Sequence, residues 1–288
     1  MDAHQKAIRT LVGVLVALVV WLSPAASAAP LRIVSIVPAA TEMLFAIGAG
    51  PDVVGVSSFD HYPAAVEKIT RVGGLLDPNV ERILQLKPDL VIVYGAKSDL
   101  AQKLDRAHIA TYAYQTGDLA NITSTIRALG KRTGRETGAE AEATRIERGL
   151  DAIKARVAGQ PRPKTLLVFG REPGSLRGVY ASGGVGFLHD MLALAGGDDV
   201  FAEVKKENVQ ISAEQILARA PEVVLELHGT RAADRIDAER RVWSVLPSLP
   251  AVRQQRVQLL IGEWLMIPGP RIVEATKVFA DALHPLGR

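Results

Sequence analysis

Residues 81–93 (Glu-Arg-Ile-Leu-Gln-Leu-Lys-Pro-Asp-Leu-Val-Ile-Val) return in altered form as residues 214–226 (Glu-Gln-Ile-Leu-Ala-Arg-Ala-Pro-Glu-Val-Val-Leu-Glu). A glutamate, an Ile-Leu pair, a proline, an acid and an apolar run recur at the same offsets. Proline cannot continue a helix, and it biases the residue before it away from helical backbone. Each copy therefore reads as a short helix that stops before the proline and feeds a buried strand. A second, weaker echo keeps the same order: Met43-Leu44 before Gly48, and Met191-Leu192 before Gly196. The chain reads as two related lobes, and Glu81 and Glu214 open the repeated helix in each.

Residues 1–28 have the marks of a secretory signal peptide. Lys6 and Arg9 precede an apolar run from Leu11 to Leu22, Ser23-Pro24 breaks it, and Ala26-Ser27-Ala28 supplies a small-residue cleavage site. The run is short for a membrane span, and no cysteine follows it to take a lipid. Export out of the cytoplasm as a non-lipidated protein is the expectation. Cysteine is absent from the whole chain, so neither a disulfide nor a thiolate metal site is available and core packing must hold the fold. Lys+Arg number 34 against 31 Asp+Glu, interspersed, which gives no basic stripe for nucleic acid.

Between the repeats, apolar runs of strand length alternate with helical patterns. Strands are expected at Leu31–Val37, Val53–Val56, Ala110–Tyr114, Thr165–Phe169, Val179–Ala181 and Val257–Ile261, in addition to the two in the repeats. Helices are expected at Thr41–Ile47, Lys97–Ala107, Leu119–Arg132, Phe187–Leu194 and from about Arg271 to Leu283. This is the pattern of α/β lobes with mostly parallel sheets covered on both faces. Ala139, Ala143, Ile146, Leu150, Ile153 and Val157 step by four and three, one apolar stripe on a long helix, and Glu142 can pair with Arg145 on its solvated side. That helix is expected to connect the lobes and to keep their closure small. The expected organisation is a signal peptide 1–28, an N-terminal lobe 29–134, an interlobe helix 135–158 and a C-terminal lobe 159–288, as a monomer.

In an open parallel sheet the ligand crevice lies beyond the carboxyl ends of the strands. Those ends are Pro38–Thr41, Ser57–Asp60, Gly73–Leu76, Tyr94–Lys97, Gly170–Pro173, Ser182–Gly184, His228–Thr230 and Gly262–Ile267. Phe59, Leu75, Leu76, Tyr94, Trp264 and Met266 among them make an apolar and aromatic surface suited to a large planar or macrocyclic ligand. Phe59 and Trp264 read equally well as ordinary core or rim aromatics. No nucleophile elbow, phosphate loop or dinucleotide fingerprint is present, so an enzyme is not expected; an exported enzyme using Asp60, Glu172 or Glu263 is the weaker alternative, with no nucleophile–base pair behind it. His61, His189 and His228 could converge as metal ligands, though a lone loop histidine is more often polar surface. Asp60, Arg171, Glu172 and Glu263 could form an acid–base set or anchor the polar edges of a ligand. Glu81 and Glu214 have a simple explanation, a carboxylate meeting the positive end of a helix dipole, and an alternative one, docking of a partner.

Residues 32–42 (Arg-Ile-Val-Ser-Ile-Val-Pro-Ala-Ala-Thr-Glu), 55–63, 77–83 and 87–91, with 212–215 and 263–271 (Glu-Trp-Leu-Met-Ile-Pro-Gly-Pro-Arg), resemble the periplasmic binding proteins of ABC importers for vitamin B12, ferric siderophores and haem. The resemblance spans the whole chain beyond the leader. It implies the class III architecture, two α/β lobes joined by one long helix with ligand held between them. In that family a glutamate on each lobe pairs with arginines of the permease, and Glu81 and Glu214 stand at those positions. Vitamin B12 binders line the cleft with aromatics, and Phe59, Tyr94 and Trp264 match, while Leu75 stands where an aromatic is expected. Haem binders often carry a tyrosine after the third strand, where this chain has Gly73-Gly74-Leu75-Leu76. Siderophore binders use arginine or tyrosine to hold an anionic chelate, and Arg171 is the nearest candidate. The resemblance thus implies a corrinoid such as cobalamin first, a ferric siderophore second and haem third, with no intrinsic cofactor.

Overall fold

A computed structural model describes residues 30–285. The expected signal peptide lies outside the described residues. The first lobe runs through β1 (Ile33–Ser35), α1 (Pro38–Ala46), β2 (Val53–Val56), β3 (Thr70–Arg71), α2 (Val80–Gln85), β4 (Leu90–Tyr94), α3 (Asp99–Arg106), β5 (Ala110–Tyr114) and α4 (Leu119–Thr133). Its five strands are all parallel, in the order β3-β2-β1-β4-β5. The central strands are apolar without alternation because helices cover both faces; Ile33, Val34, Val91 and Ile92 are fully buried. The first helix starts three residues earlier than its apolar pattern suggests. Pro38 occupies the first helical turn, where a missing N–H leaves no hydrogen bond unmade.

The long helix α5 (Glu136–Val157) buries Ala139, Ala143, Ile146, Leu150, Ile153 and Val157, the predicted stripe residue for residue. Gly138 brings it so close to the first lobe that an added Cβ would collide with the backbone carbonyl of Ile47. It packs along α4, where Arg127 pairs with Glu140 and Glu147, and it also meets the C-terminal segment. Arg156 donates to Asp281 at 2.6 Å, and Arg145 donates to the Pro270 carbonyl at 2.6 Å while Glu142 holds it at 2.8 and 2.9 Å. The Glu142–Arg145 pair is thus no decoration of a solvated face; it reaches across to the segment that leads into that final helix.

The second lobe continues with β6 (Lys164–Gly170), β7 (Val179–Ser182), α6 (Phe187–Leu194), β8 (Asp198–Asp199), β9 (Asn208–Ile211), α7 (Ala213–Arg219), β10 (Val223–His228), α8 (Ile236–Val242), α9 (Pro250–Arg253), β11 (Val257–Ile261) and α10 (Ile272–Leu283). Its sheet has the order β11-β10-β6-β7-β9, with β8 beside β6. Strands β6, β10 and β11 are parallel, but β7 runs antiparallel to both β6 and β9. The sheet is therefore mixed. The Ser182–Gly184 end of β7 emerges at the edge opposite the carboxyl ends of β6 and β10, where Gly184 N–H donates to the Val204 carbonyl at 2.7 Å. This corrects its assignment to the ligand edge.

The sequence repeat is a repeat of interactions. Asn79 and Ser212 cap α2 and α7 by accepting from the backbone N–H three residues on, and Ser212 with Gln215 completes a capping box. Ile83 and Ile216 are fully buried. Lys87 and Ala220, each directly before its proline, both adopt left-handed backbone at φ 46° and 48°. The acid after the proline then closes on the neighbouring strand. Asp89 accepts from the Arg32 N–H at 2.8 Å and returns its own N–H to the Arg32 carbonyl; Glu222 does the same with Lys164 at 3.0 Å. A buried strand end in each lobe thereby has its backbone groups satisfied.

The close approach at Gly138 yields a stability prediction. Gly138→Ala gains about 1 kcal/mol of helix propensity but meets unyielding backbone, an overpacking cost of roughly 1–3 kcal/mol. Thermal unfolding of this variant should start lower by a few degrees (about 2–6 °C). An unchanged or raised Tm would show that the helix is free to move off the first lobe.

Candidate ligand cleft

Both lobes present the carboxyl ends of their parallel strands to a shared cleft, because residues from those ends meet across it. Glu42 and Tyr62, which follow β1 and β2, contact Arg271, which follows β11. The Glu42 carboxylate accepts from Arg271 Nε at 2.9 Å and Nη2 at 2.6 Å, a bidentate pair between lobes. Burial pushes the Glu42 carboxyl above its ordinary value against the opposing pull of Arg271. The same guanidinium lies 4.1 Å from the Tyr62 ring centroid and 5.8 Å from that of Trp264, within reach of both π faces.

The predicted aromatics stand at this edge. Phe59 is 65% exposed, and an added Cβ on Gly74 would lie 2.8 Å from its ring. Trp264 lies in a 3-10 turn (Glu263–Met266), its indole nitrogen against Gly262, whose φ of 148° and close approach admit no side chain. Tyr94 ends β4 half-exposed, shares a hydrogen bond with Thr116 at 3.1 Å, and has its ring centroid 6.2 Å from that of Tyr114. In the loop after β3, Leu75 is exposed and Leu76 is 97% exposed. Tyr62, Glu42 and Arg271 were not among the predicted site residues. A lone acid inside the otherwise apolar helix 38–46 was a signal that some cation must meet it.

The charged candidates are differently placed. Arg171 has a side chain only 3% exposed and does not open into the cleft; Glu226 accepts from its Nε at 2.6 Å and Glu239 pairs with its Nη1 at 2.8 Å. Glu226 also accepts from Trp243 Nε1 at 2.6 Å, and His228 Nε2 lies 2.9 Å away without the angle of a hydrogen bond. Burial disfavours the Glu226 carboxylate, but His228, Trp243 and Arg171 outweigh it and hold the carboxyl below its ordinary value. Asp60 is turned inward and accepts from the Ser57 N–H and hydroxyl; burial raises its carboxyl despite those bonds. Glu172 pairs with Arg177 at 3.0 Å, and Glu263 accepts from the Thr230 hydroxyl at 3.2 Å. The three histidines do not converge. His61 is 3.6 Å from Glu67, His189 pairs with Asp199 and His228 with Glu226. Among the described residues no His/Asp/Glu cluster could hold a metal ion.

Glu81 and Glu214 are exposed on the first turns of α2 and α7. Because β9 is antiparallel to β7, it runs parallel to β6, so α7, like α2, starts from the carboxyl edge of its sheet. The Ser212 hydroxyl holds the Glu214 carboxyl below its usual value. No helix among the described residues is long and apolar enough to cross a membrane.

Two α/β lobes, one bridging helix and aromatic side chains where the lobes meet define a solute-binding architecture, and the comparisons agree. A profile of the periplasmic binding protein family matches residues 33–261, and the chain belongs to that family. A vitamin B12-binding protein of Salmonella typhimurium is 32% identical over 277 residues, which is 96% of each chain. The periplasmic vitamin B12 binding protein BtuF of Vibrio cholerae superposes with a TM-score of 0.74 at 27% identity, covering 88% of this chain and 96% of that one. The periplasmic heme-binding protein RhuT from Roseiflexus sp. RS-1, in apo form, superposes with a TM-score of 0.74 at 27% identity, covering 88% and 99%.

The buried network has a pH signature. Glu226→Gln leaves the Arg171 guanidinium half-paired and should cost about 3 kcal/mol at pH 7. A carboxyl held below its ordinary value contributes stability that is fully present above the ordinary value and is lost as pH falls from there through the lowered one. The Tm gap between wild type and Glu226→Gln should therefore be widest at neutral pH and narrow below about pH 4.5, the ordinary value for glutamate. A gap that widens in acid would contradict the assignment.

Proposed function

We propose that this chain is the solute-binding component of an ABC importer, carrying a corrinoid such as cobalamin through the periplasm and delivering it to a membrane permease. It binds without chemistry of its own. The observation that carries the ligand class is the composition of the cleft edge. Aromatic and aliphatic side chains there are exposed, while the arginines at that edge are already engaged: Arg71 by Glu67, Arg171 by Glu226 and Glu239, Arg271 by Glu42. Apolar faces suit a bulky macrocycle, and no engaged guanidinium is free to hold an anionic chelate. The full-length likeness to a vitamin B12-binding protein points the same way. Phe59, Tyr62, Leu75, Tyr94 and Trp264 would line the ligand, with Glu263 at its polar rim. Arg171 drops out of that set. Haem, bound by a structural relative, is the second reading; the loop after β3 lacks a tyrosine to ligate its iron.

Glu81 and Glu214 are our docking residues, on lobes that span 29–134 and 159–288 about the 135–158 helix. Support comes from their equivalence in the repeat, their shared edge with the cleft, and the leucine three residues after each. Leu84 and Leu217 are 41% and 39% exposed, although their Ile neighbours are fully buried. Residues at that spacing share a helix face, so each lobe offers an acid beside an apolar side chain. A basic partner would gain orientation from bidentate pairs more than affinity.

Titration of the mature protein with cyanocobalamin, haemin and a ferric siderophore tests the ligand. Cyanocobalamin should bind at micromolar affinity or better, and Phe59→Ala or Trp264→Ala should weaken it at least about tenfold. Binding of haemin or the siderophore in its place would overturn the corrinoid reading. In reconstituted transport, Glu81→Ala combined with Glu214→Ala should retain ligand affinity and lose stimulation of the permease; normal uptake by that double variant would rule out the docking role.

A further inference from the structure

The Glu42–Arg271 pair joins the two lobes where their carboxyl edges meet. Burial disfavours the ionised Glu42, and a buried ion pair is often no more stabilising than an apolar contact of similar volume. Arg156–Asp281 and Arg145–Pro270 already fasten the bridging helix to the C-terminal helix. What Arg271 does, and those contacts do not, is touch an aromatic ring from each lobe. Its guanidinium carbon is 4.1 Å from the ring of Tyr62 in the first lobe and 5.8 Å from that of Trp264 in the second. Glu42 fixes the plane of that guanidinium through two hydrogen bonds, and Arg145 fixes the carbonyl of the residue before it.

We propose that Arg271 is a positioning residue of the ligand cleft: clamped by Glu42, it holds Tyr62 and Trp264 at a set separation and so presets the aromatic slot before ligand arrives. This rests on the reading of the cleft as the ligand site and adds a residue that need not touch the ligand. A preset slot lowers the cost of ordering side chains on binding, so loosening it weakens affinity without removing a ligand contact. The planar fork is essential. A lysine keeps the charge opposite Glu42 but neither the bidentate geometry nor the stacking plane.

Arg271→Met, Arg271→Lys and Glu42→Gln in the mature protein test this, with Arg135→Met as control. Arg135 makes a comparable pair with Asp52, at 3.0 Å, but does not reach the cleft aromatics. The first readout needs no ligand. Trp243 is fully buried, so acrylamide quenching reports chiefly on Trp264. The quenching constant should rise about twofold in both Arg271 variants and stay at the wild-type value in Arg135→Met. The second readout is cyanocobalamin affinity, expected to fall about tenfold in Arg271→Met and Arg271→Lys alike while Arg135→Met binds as wild type. If Arg271→Lys matches wild type in both readouts, the residue acts only as a charge and the proposal is overturned. If wild type binds no cyanocobalamin, the ligand reading fails, and the quenching comparison still decides whether Arg271 positions Trp264. Should Arg271→Met fail to fold, Arg271→Lys and Glu42→Gln carry the test.

Discussion

The rest of the structure depends on how α5 is buried. A 22-residue helix with one apolar stripe must keep that stripe covered along its length, and in this chain two lobes share the task. Its early turns approach the first lobe at Gly138, and its later turns meet the C-terminal helix through Arg145 and Arg156. Swinging one lobe away would uncover apolar area at roughly 25 cal/mol per Å² and break those charge-assisted bonds together. A stiff frame follows, and with it a cleft whose shape is largely set by packing elsewhere.

That frame explains the electrostatics of the cleft edge. Several charged groups there face inward, and each of these solves a problem of the fold. Arg171 satisfies two buried carboxylates, Asp60 ties its own loop through Ser57, and Arg71 donates to the carbonyls of Ser57 and Asp60. Buried polar groups left unpaired are costly, so these residues are committed before any ligand arrives. Phe59, Tyr62, Leu75, Leu76 and Tyr94 stay exposed beside them, so apolar contact is the main chemistry this edge can offer.

Much of the architecture was legible because its signals are local. The caps at Asn79 and Ser212, the prolines at 88 and 221 and the spacing of the α5 stripe each act within a few residues, and they fixed helix starts, strand starts and the bridging helix. Strand direction is not local. The short β9 has only two apolar residues among polar neighbours, and no pattern in β7 says that it runs antiparallel. Pairings across 55 or 229 positions were equally hidden, so Arg171 looked like a free anion ligand and Glu42–Arg271 went unseen. A hint was present in both cases: Glu226 interrupts a buried strand and Glu42 an apolar helix, and a buried acid demands a partner.

On the proposed reading the ligand lies between the lobes, in a slot already formed without it. The most direct measurement is a crystal structure of the mature protein with cyanocobalamin. The corrinoid is expected against Phe59, Tyr62 and Trp264, with the Glu42–Arg271 pair still at hydrogen-bond length. A ligand bound elsewhere, or lobes rotated far enough to break that pair, would contradict it.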